Sequence, residues 1–394
     1  VEGNYDYFER YVAISRVIKW ADDEKSELEL NDGCEFVFGG DSQDKGIGEI
    51  RFVKHLLSLK RRYPERVHII IGNRDANKLR LAGELSEEAL ADPNVKEDRS
   101  FPYWVDEKKR VTPAEFLLQN DDKNGGSEDS AANRLRWMLK ETMGSDGAFE
   151  RRRMELKIVE GREEISDEEV VESYRAEVDP DNGEKAWMLQ YLQAGQLAYI
   201  FGRTIFVHGA ISDANLGSVP GQQKRDTHCT AWVANLNAWA AQQVHEYATT
   251  PTPPGNGTNR PGSGLMDYGV PNGNNGETVI YASFLSNGNA APISSTVGSF
   301  LTESNLCNVI AGHTPHGDCP TVIRSRGVRA LTADTSYSEM GHKSEWGVDN
   351  RGAAVSEVLV GLDGSLAVHG ILSNGSDIAY QIGGHARPRD AGGA

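Results

Sequence analysis

The chain has 394 residues, 38% of them hydrophobic and 25% charged, with a formal net charge of -17 and an isoelectric point near 5.1. That balance excludes a general nucleic-acid binder, which needs a basic face, and no run approaches the ~20 apolar residues of a membrane span. The four cysteines, Cys34, Cys229, Cys307 and Cys319, form neither a C-x-x-C pair nor a disulfide framework, which reads as reduced thiols in a cytoplasmic protein.

No secretory signal is visible, and the opening at Val1 rather than Met reads as a fragment or a processed form. Tyr5 to Trp20 has helical spacing, and a strand is predicted over 35–39. A helix over about 48–62 stops before Pro64, as the residue ahead of a proline requires. A strand over 67–71 then completes a β-α-β unit, which implies parallel pairing. Residues 81–186 read as a polar, helical, cap-like insertion. Capping boxes stand at Thr112-Pro-Ala-Glu115 and Ser166-Asp-Glu-Glu169, and Leu135, Met138, Leu139 and Thr142 share one helical face. An apolar helix over 184–202, a strand over 203–208 and a helix over 231–246 follow. Residues 249–275, rich in Pro, Gly and Asn, read as a flexible loop inside one domain spanning 1–394. The last strands are expected at 305–312, 320–333, 354–361 and 365–371, with a hairpin turn at Leu362-Asp-Gly364.

Four short apolar runs end in a residue able to hold a metal ion: Glu35-Phe-Val-Phe-Gly-Gly-Asp41, Val67-His-Ile-Ile-Ile-Gly-Asn73, Thr204-Ile-Phe-Val-His208 and Asn308-Val-Ile-Ala-Gly-His313. Such runs read as buried strands, and ligands gather outside the carboxyl ends of strands in open α/β sheets. Asp41, Asn73, His208 and His313 are therefore expected on one rim as a metal site. Lys78 and Arg80 read as solvated helix charges. Asp334, after a late strand, either approaches that rim or caps a turn.

These segments resemble the calcineurin-like metallophosphatases. Gly40-Asp-Ser-Gln-Asp-Lys-Gly46 is similar to GDxxDRG, Gly72-Asn-Arg-Asp75 to GNHE or GNHD, and His208-Gly-Ala210 to HGG. Gly312-His-Thr-Pro315 is similar to the GHTP of the serine/threonine phosphatase and diadenosine tetraphosphatase branch. The resemblance implies an α/β fold, a β-sandwich of two mixed sheets flanked by helices. It also implies two divalent metal ions, manganese foremost with iron, zinc or cobalt as alternatives. Asp41 would bridge them, Asn73, His208 and His313 would complete one shell, and Glu2 would belong to the other. The implied activity is hydrolysis of phosphate esters or anhydrides, by direct attack of metal-bound hydroxide on a phosphorylated protein or small compound.

The pattern departs from the family at three places. Glu2 stands where D-x-H-G has its histidine. Arg74 stands in place of the catalytic histidine that pairs with Asp44, and arginine cannot donate a proton near neutrality. Lys45 replaces the phosphate-binding arginine with a point charge. The nearest candidate acid by sequence is His316. Two other readings follow from these departures: a pseudophosphatase serving as a binding scaffold, and a hydrolase of diadenosine polyphosphate or polyphosphate, whose leaving group needs no acid.

Overall fold

The computed structural model describes residues 1–91, 102–119, 129–254, 260–286, 289–335, 342–344, 347–349 and 353–383. Parts of the expected insertion and of the 249–275 loop lie outside these residues. The fold is mixed α/β. Strands Phe36–Phe38, Val67–Ile70 and Gly195–Gln196 form a parallel sheet in that order. Helix Glu49–Arg62 links the first two. It buries Ile50, Phe52, Val53, Leu56, Leu57 and Leu59 on one face and carries Lys60, Arg61 and Arg62 in its last turn, where cations suit the helix dipole.

A second sheet runs in the order Thr321–Ser325, Val328–Thr332, Asn308–Ala311, Thr204–Val207, Ala198–Phe201. Its three central strands are parallel and its outer ones antiparallel. Alternation along the strands gives it two apolar faces. Ile205, Val207, Val309, Ala311 and Ala330 enter the main core. Phe206, Ile310 and Leu331 meet Val358, Val360, Leu366, Tyr380 and Ile382 from the antiparallel sheet Val355–Val360, Leu366–Ile371, Asp377–Ile382.

Several boundaries differ from the sequence reading. The first helix ends at Ile14, because Ser15 turns to extended backbone and its hydroxyl accepts the N–H groups of Val17 and Ile18. Ile18–Trp20 then pairs with Leu28–Leu30 as a hairpin. The expected helix over 184–202 is confined to Trp187–Ala194, since Gly195 passes directly into a strand. Within the expected loop, Ser263–Tyr268 is a helix anchored by fully buried Leu265 and Tyr268. Helices Pro113–Gln119 and Asp167–Ala176 start at the two capping boxes, with the reciprocal bonds formed in each. Among the described residues no helix is long and apolar enough to cross a membrane, and the four cysteines form no disulfide.

Candidate functional site

The parallel strands Phe36–Phe38 and Val67–Ile70 of one sheet, and Thr204–Val207 and Asn308–Ala311 of the other, deliver Asp41, Asn73, His208 and His313 to a common rim. One ligand atom each of Asp41, His208 and His313 lie within 4.8 Å of one another. Asn73 Oδ1 sits 3.2 Å from His208 Nε2 and 3.0 Å from His313 Nδ1, and His208 Nε2 is 3.4 Å from Asp41 Oδ1. The backbone is bent to achieve this. Glu2, Asp41, Asp44 and His313 all hold positive φ, at 47°, 57°, 91° and 67°, a conformation costly for residues with a Cβ and concentrated at functional sites. Glycine permits the close approach beside them. A Cβ on Gly72 would lie 2.3 Å from Asp41 Oδ1, and one on Gly40 would lie 2.6 Å from His208 Nδ1.

The donor set fits a divalent cation. His208 Nδ1 lies 2.7 Å from the Gly39 carbonyl and donates to it, so the neutral ring turns its Nε2 lone pair toward Asn73 Oδ1 and Asp41 Oδ1. With the ring neutral, three acceptors converge, an arrangement that a cation stabilises. Without a metal, a proton fills that role. Burial pulls His208 down, but the Asp41 carboxylate outweighs it and carries the imidazole up to about 9. Burial and the neighbouring His208 push His313 down to about 4. Burial works against ionised Asp41, yet His208 and Arg74 hold its carboxyl well below the usual range. Mixed nitrogen and oxygen donors suit manganese, iron, zinc or cobalt.

Cations fill the other side of Asp41. Arg74 Nε donates to Glu2 Oε1 at 3.0 Å and stands 3.7 Å from Asp41 Oδ2, while Arg74 Nη1 is 3.5 Å from Asp44 Oδ2 and 3.3 Å from Ser145 Oγ. Lys78 Nζ donates to Asp44 Oδ2 at 2.8 Å. Lys78 and Arg80 are therefore not solvated: they are 0% and 2% exposed, and Arg80 pairs with Glu84. Lys45 Nζ donates to the Gly144 carbonyl at 3.1 Å. His316 is tied by its backbone N–H to the Asp334 carbonyl at 3.0 Å, and its ring makes no hydrogen bond, ion pair or ring contact with a site residue among the described residues. Asp334 does reach the rim. With Val1, Glu2, Asp41 and His313 it lines a cavity of about 200 Å³, where burial and the charge of Glu2 push its carboxyl up to about 7.

Asp75 organises the two loops that carry Asp41 and Asn73, a role the sequence reading missed. Fully buried, it accepts from the N–H groups of Asp41, Ser42 and Gly72 and from the hydroxyls of Ser42 and Tyr191. Its place three residues after Gly72, the third position of a short helix, is where a carboxylate turns back to its own N-terminus. Glu49 and Arg152 also went unseen. Glu49 accepts from Asp44 N at 3.1 Å, and fully buried Arg152 joins Glu49 to Glu177 at 2.5 and 2.7 Å.

No known family model and no curated protein matches the chain. Among solved structures, the chain is similar to a cold-active protein-tyrosine phosphatase of a psychrophile, Shewanella sp. The identity is 12% and the TM-score 0.43, covering 96% of this chain and 77% of that one. A point mutant of a cold-active protein tyrosine phosphatase gives the same values. A protein serine/threonine phosphatase from Saccharomyces cerevisiae is 11% identical with a TM-score of 0.38, over 98% of this chain and 78% of that one. At TM-scores below 0.5 these likenesses carry no weight for the chemistry.

Proposed function

We propose that this chain is a metal-dependent phosphoester hydrolase with the calcineurin-like sandwich, its metal held by Asp41, Asn73, His208 and His313. The observation that carries the reading is the convergence of these four strand-end side chains on one strained rim. A divalent ion held by Asp41, Asn73, His208 and His313 would supply Lewis acidity toward a phosphoryl oxygen and would activate water. The chain's own residues do the rest. The fixed guanidinium of Arg74 offers positive charge to a phosphoryl oxygen, and Glu2, Asp41 and Asp44 hold it in place.

Asp44 favours one substrate class. Burial raises its carboxyl, but Lys78 and then Arg74 bring it below its ordinary value, so it is an anion between two cations with no imidazole to polarise. A leaving group that departs without a proton suits this site, as in phosphoanhydrides or aryl phosphates. The test is phosphate release from an aryl phosphate and from a nucleotide polyphosphate with added manganese. Both are expected to turn over, and Asp41→Asn is expected to lower the rate by at least about 100-fold. Equal rates in the two proteins would reject the hydrolase and leave a binding scaffold.

A further inference from the structure

We infer that the Arg74 guanidinium takes the place of a second metal ion, so that the chain binds one divalent cation rather than a pair. This rests on the metal reading above and narrows it. The Asp41 carboxylate has two faces. Oδ1 looks toward His208 Nε2 at 3.4 Å and accepts Arg74 N–H at 3.0 Å, while Oδ2 looks toward Arg74 Nε at 3.7 Å. A carboxylate able to bridge two ions here bridges a metal-ligand set and a guanidinium.

One oxygen of each acidic group on that second face is already committed to a cation. Glu2 Oε1 accepts from Arg74 Nε at 3.0 Å, and Asp44 Oδ2 is shared between Arg74 and Lys78. The Arg74 side chain is 15% exposed and that of Lys78 0%. A divalent ion among these carboxylates would stand against a buried ammonium and a largely shielded guanidinium, in surroundings that screen poorly. Arginine cannot relieve that repulsion by losing its proton.

The backbone locks the arrangement. Glu2 N–H donates to the Asp41 carbonyl at 3.0 Å, and Lys45 N–H donates to the Glu2 carbonyl at 2.8 Å. Glu2, Asp41 and Asp44 are each in the left-handed region, where a shift to free the carboxylates would break these bonds. Asn73, a metal donor, and Arg74, the fixed cation, are consecutive on the same short helix. Their spacing along Asp41 is therefore built into the chain. Glu2 Oε2 is buried with no hydrogen-bond partner among the described residues, so this corner retains an unspent acceptor that a cation would take up if the guanidinium left.

The experiment titrates the metal-free full chain with manganese. Calorimetry counts the sites, and electron paramagnetic resonance distinguishes isolated from coupled ions. One manganese per chain with an isolated-ion spectrum is expected. Arg74→Ser, which removes the cation without filling its space, is expected to gain a second, weaker binding event, and Arg74→Lys to stay at one. Two manganese ions per wild-type chain, or a coupled spectrum, overturns the inference. So does an Arg74→Ser protein, folded by circular dichroism, that gains nothing. No binding at all brings down the parent metal reading as well, and that outcome is distinct from binding two. Should Arg74→Ser fail to fold, the wild-type count still decides.

Discussion

Asp75→Asn is a substitution whose cost can be worked out bond by bond. Oδ1 accepts from Ser42 N and Ser42 Oγ at 2.9 and 2.8 Å; Oδ2 accepts from Asp41 N, Gly72 N and Tyr191 Oη at 3.0, 2.7 and 3.0 Å. An asparagine keeps one oxygen. Putting its NH2 at the Oδ1 position does least harm, because the Ser42 hydroxyl can rotate to accept. The Ser42 N–H is then orphaned, at about 1–3 kcal/mol. The three surviving bonds lose their charge assistance, at roughly 1 kcal/mol each. Removing a buried anion offsets part of this, since burial and the adjacent Asp41 charge both push the Asp75 carboxyl upward. The net loss is about 2–4 kcal/mol, measured by urea unfolding of the metal-free chain. The same bonds position Asp41 and the residue before Asn73, so manganese affinity is expected to fall roughly 10–100-fold. A loss under about 1 kcal/mol with unchanged manganese affinity would refute the claim that Asp75 holds the two loops.

Arg152→Met leaves Glu49 and Glu177 without their shared cation, an expected loss of about 3–5 kcal/mol at pH 8. Burial pushes Glu177 up to about 7 even beside Arg152. A carboxyl raised in the fold favours folding at low pH and loses that contribution as pH climbs from its ordinary 4.5 through about 7. Without Arg152 the rise grows, so urea titrations should give a smaller penalty at pH 5.5 than at pH 8, and equal penalties contradict the network. A further outcome concerns protons. His208, at about 9, is protonated in the metal-free chain at neutral pH, whereas His313, at about 4, is not. Metal binding near pH 7.5 should expel about one proton, read by calorimetry in buffers of different ionisation enthalpy. Affinity should weaken as pH falls below about 9, and absence of proton release near neutrality contradicts the assignment of His208 as a ligand.

The placement of Asp41, Asn73, His208 and His313 after strands was legible because each is a local signal: a short apolar run, a turn and a polar side chain. So was helix Glu49–Arg62, whose apolar stripe and following Pro64 lie within one window. What escaped depends on distant partners. Lys78 looks like any helix cation until Asp44, 34 residues away, closes on it inside the core. Arg80 carried a readable clue in Glu84 at i+4, but it shares that carboxylate with Arg260, 176 residues from Glu84. Helix Ser263–Tyr268 was masked by its Pro- and Asn-rich neighbours. It exists because Leu265 and Tyr268 find buried positions that composition does not announce.

The segment expected as an insertion reaches the site through its charges. Helix Ala148–Glu160 supplies Arg151, whose Nη2 donates to the Asp44 carbonyl at 2.8 Å, and Arg152, which grips Glu49. Glu49 in turn receives Asp44 N–H. Just before that helix, Ser145 Oγ meets Arg74, and Gly144 receives Lys45. The backbone of Asp44 is thus held on both its N–H and its C=O by a chain of charges that begins in the insertion. A residue at φ 91° stays there only when its surroundings over-determine it, and here those surroundings come from a segment more than 90 residues downstream. Loss of the insertion's grip would free Asp44, then Arg74, and with them the charge on one side of Asp41. The insertion therefore belongs to the electrostatics of this site.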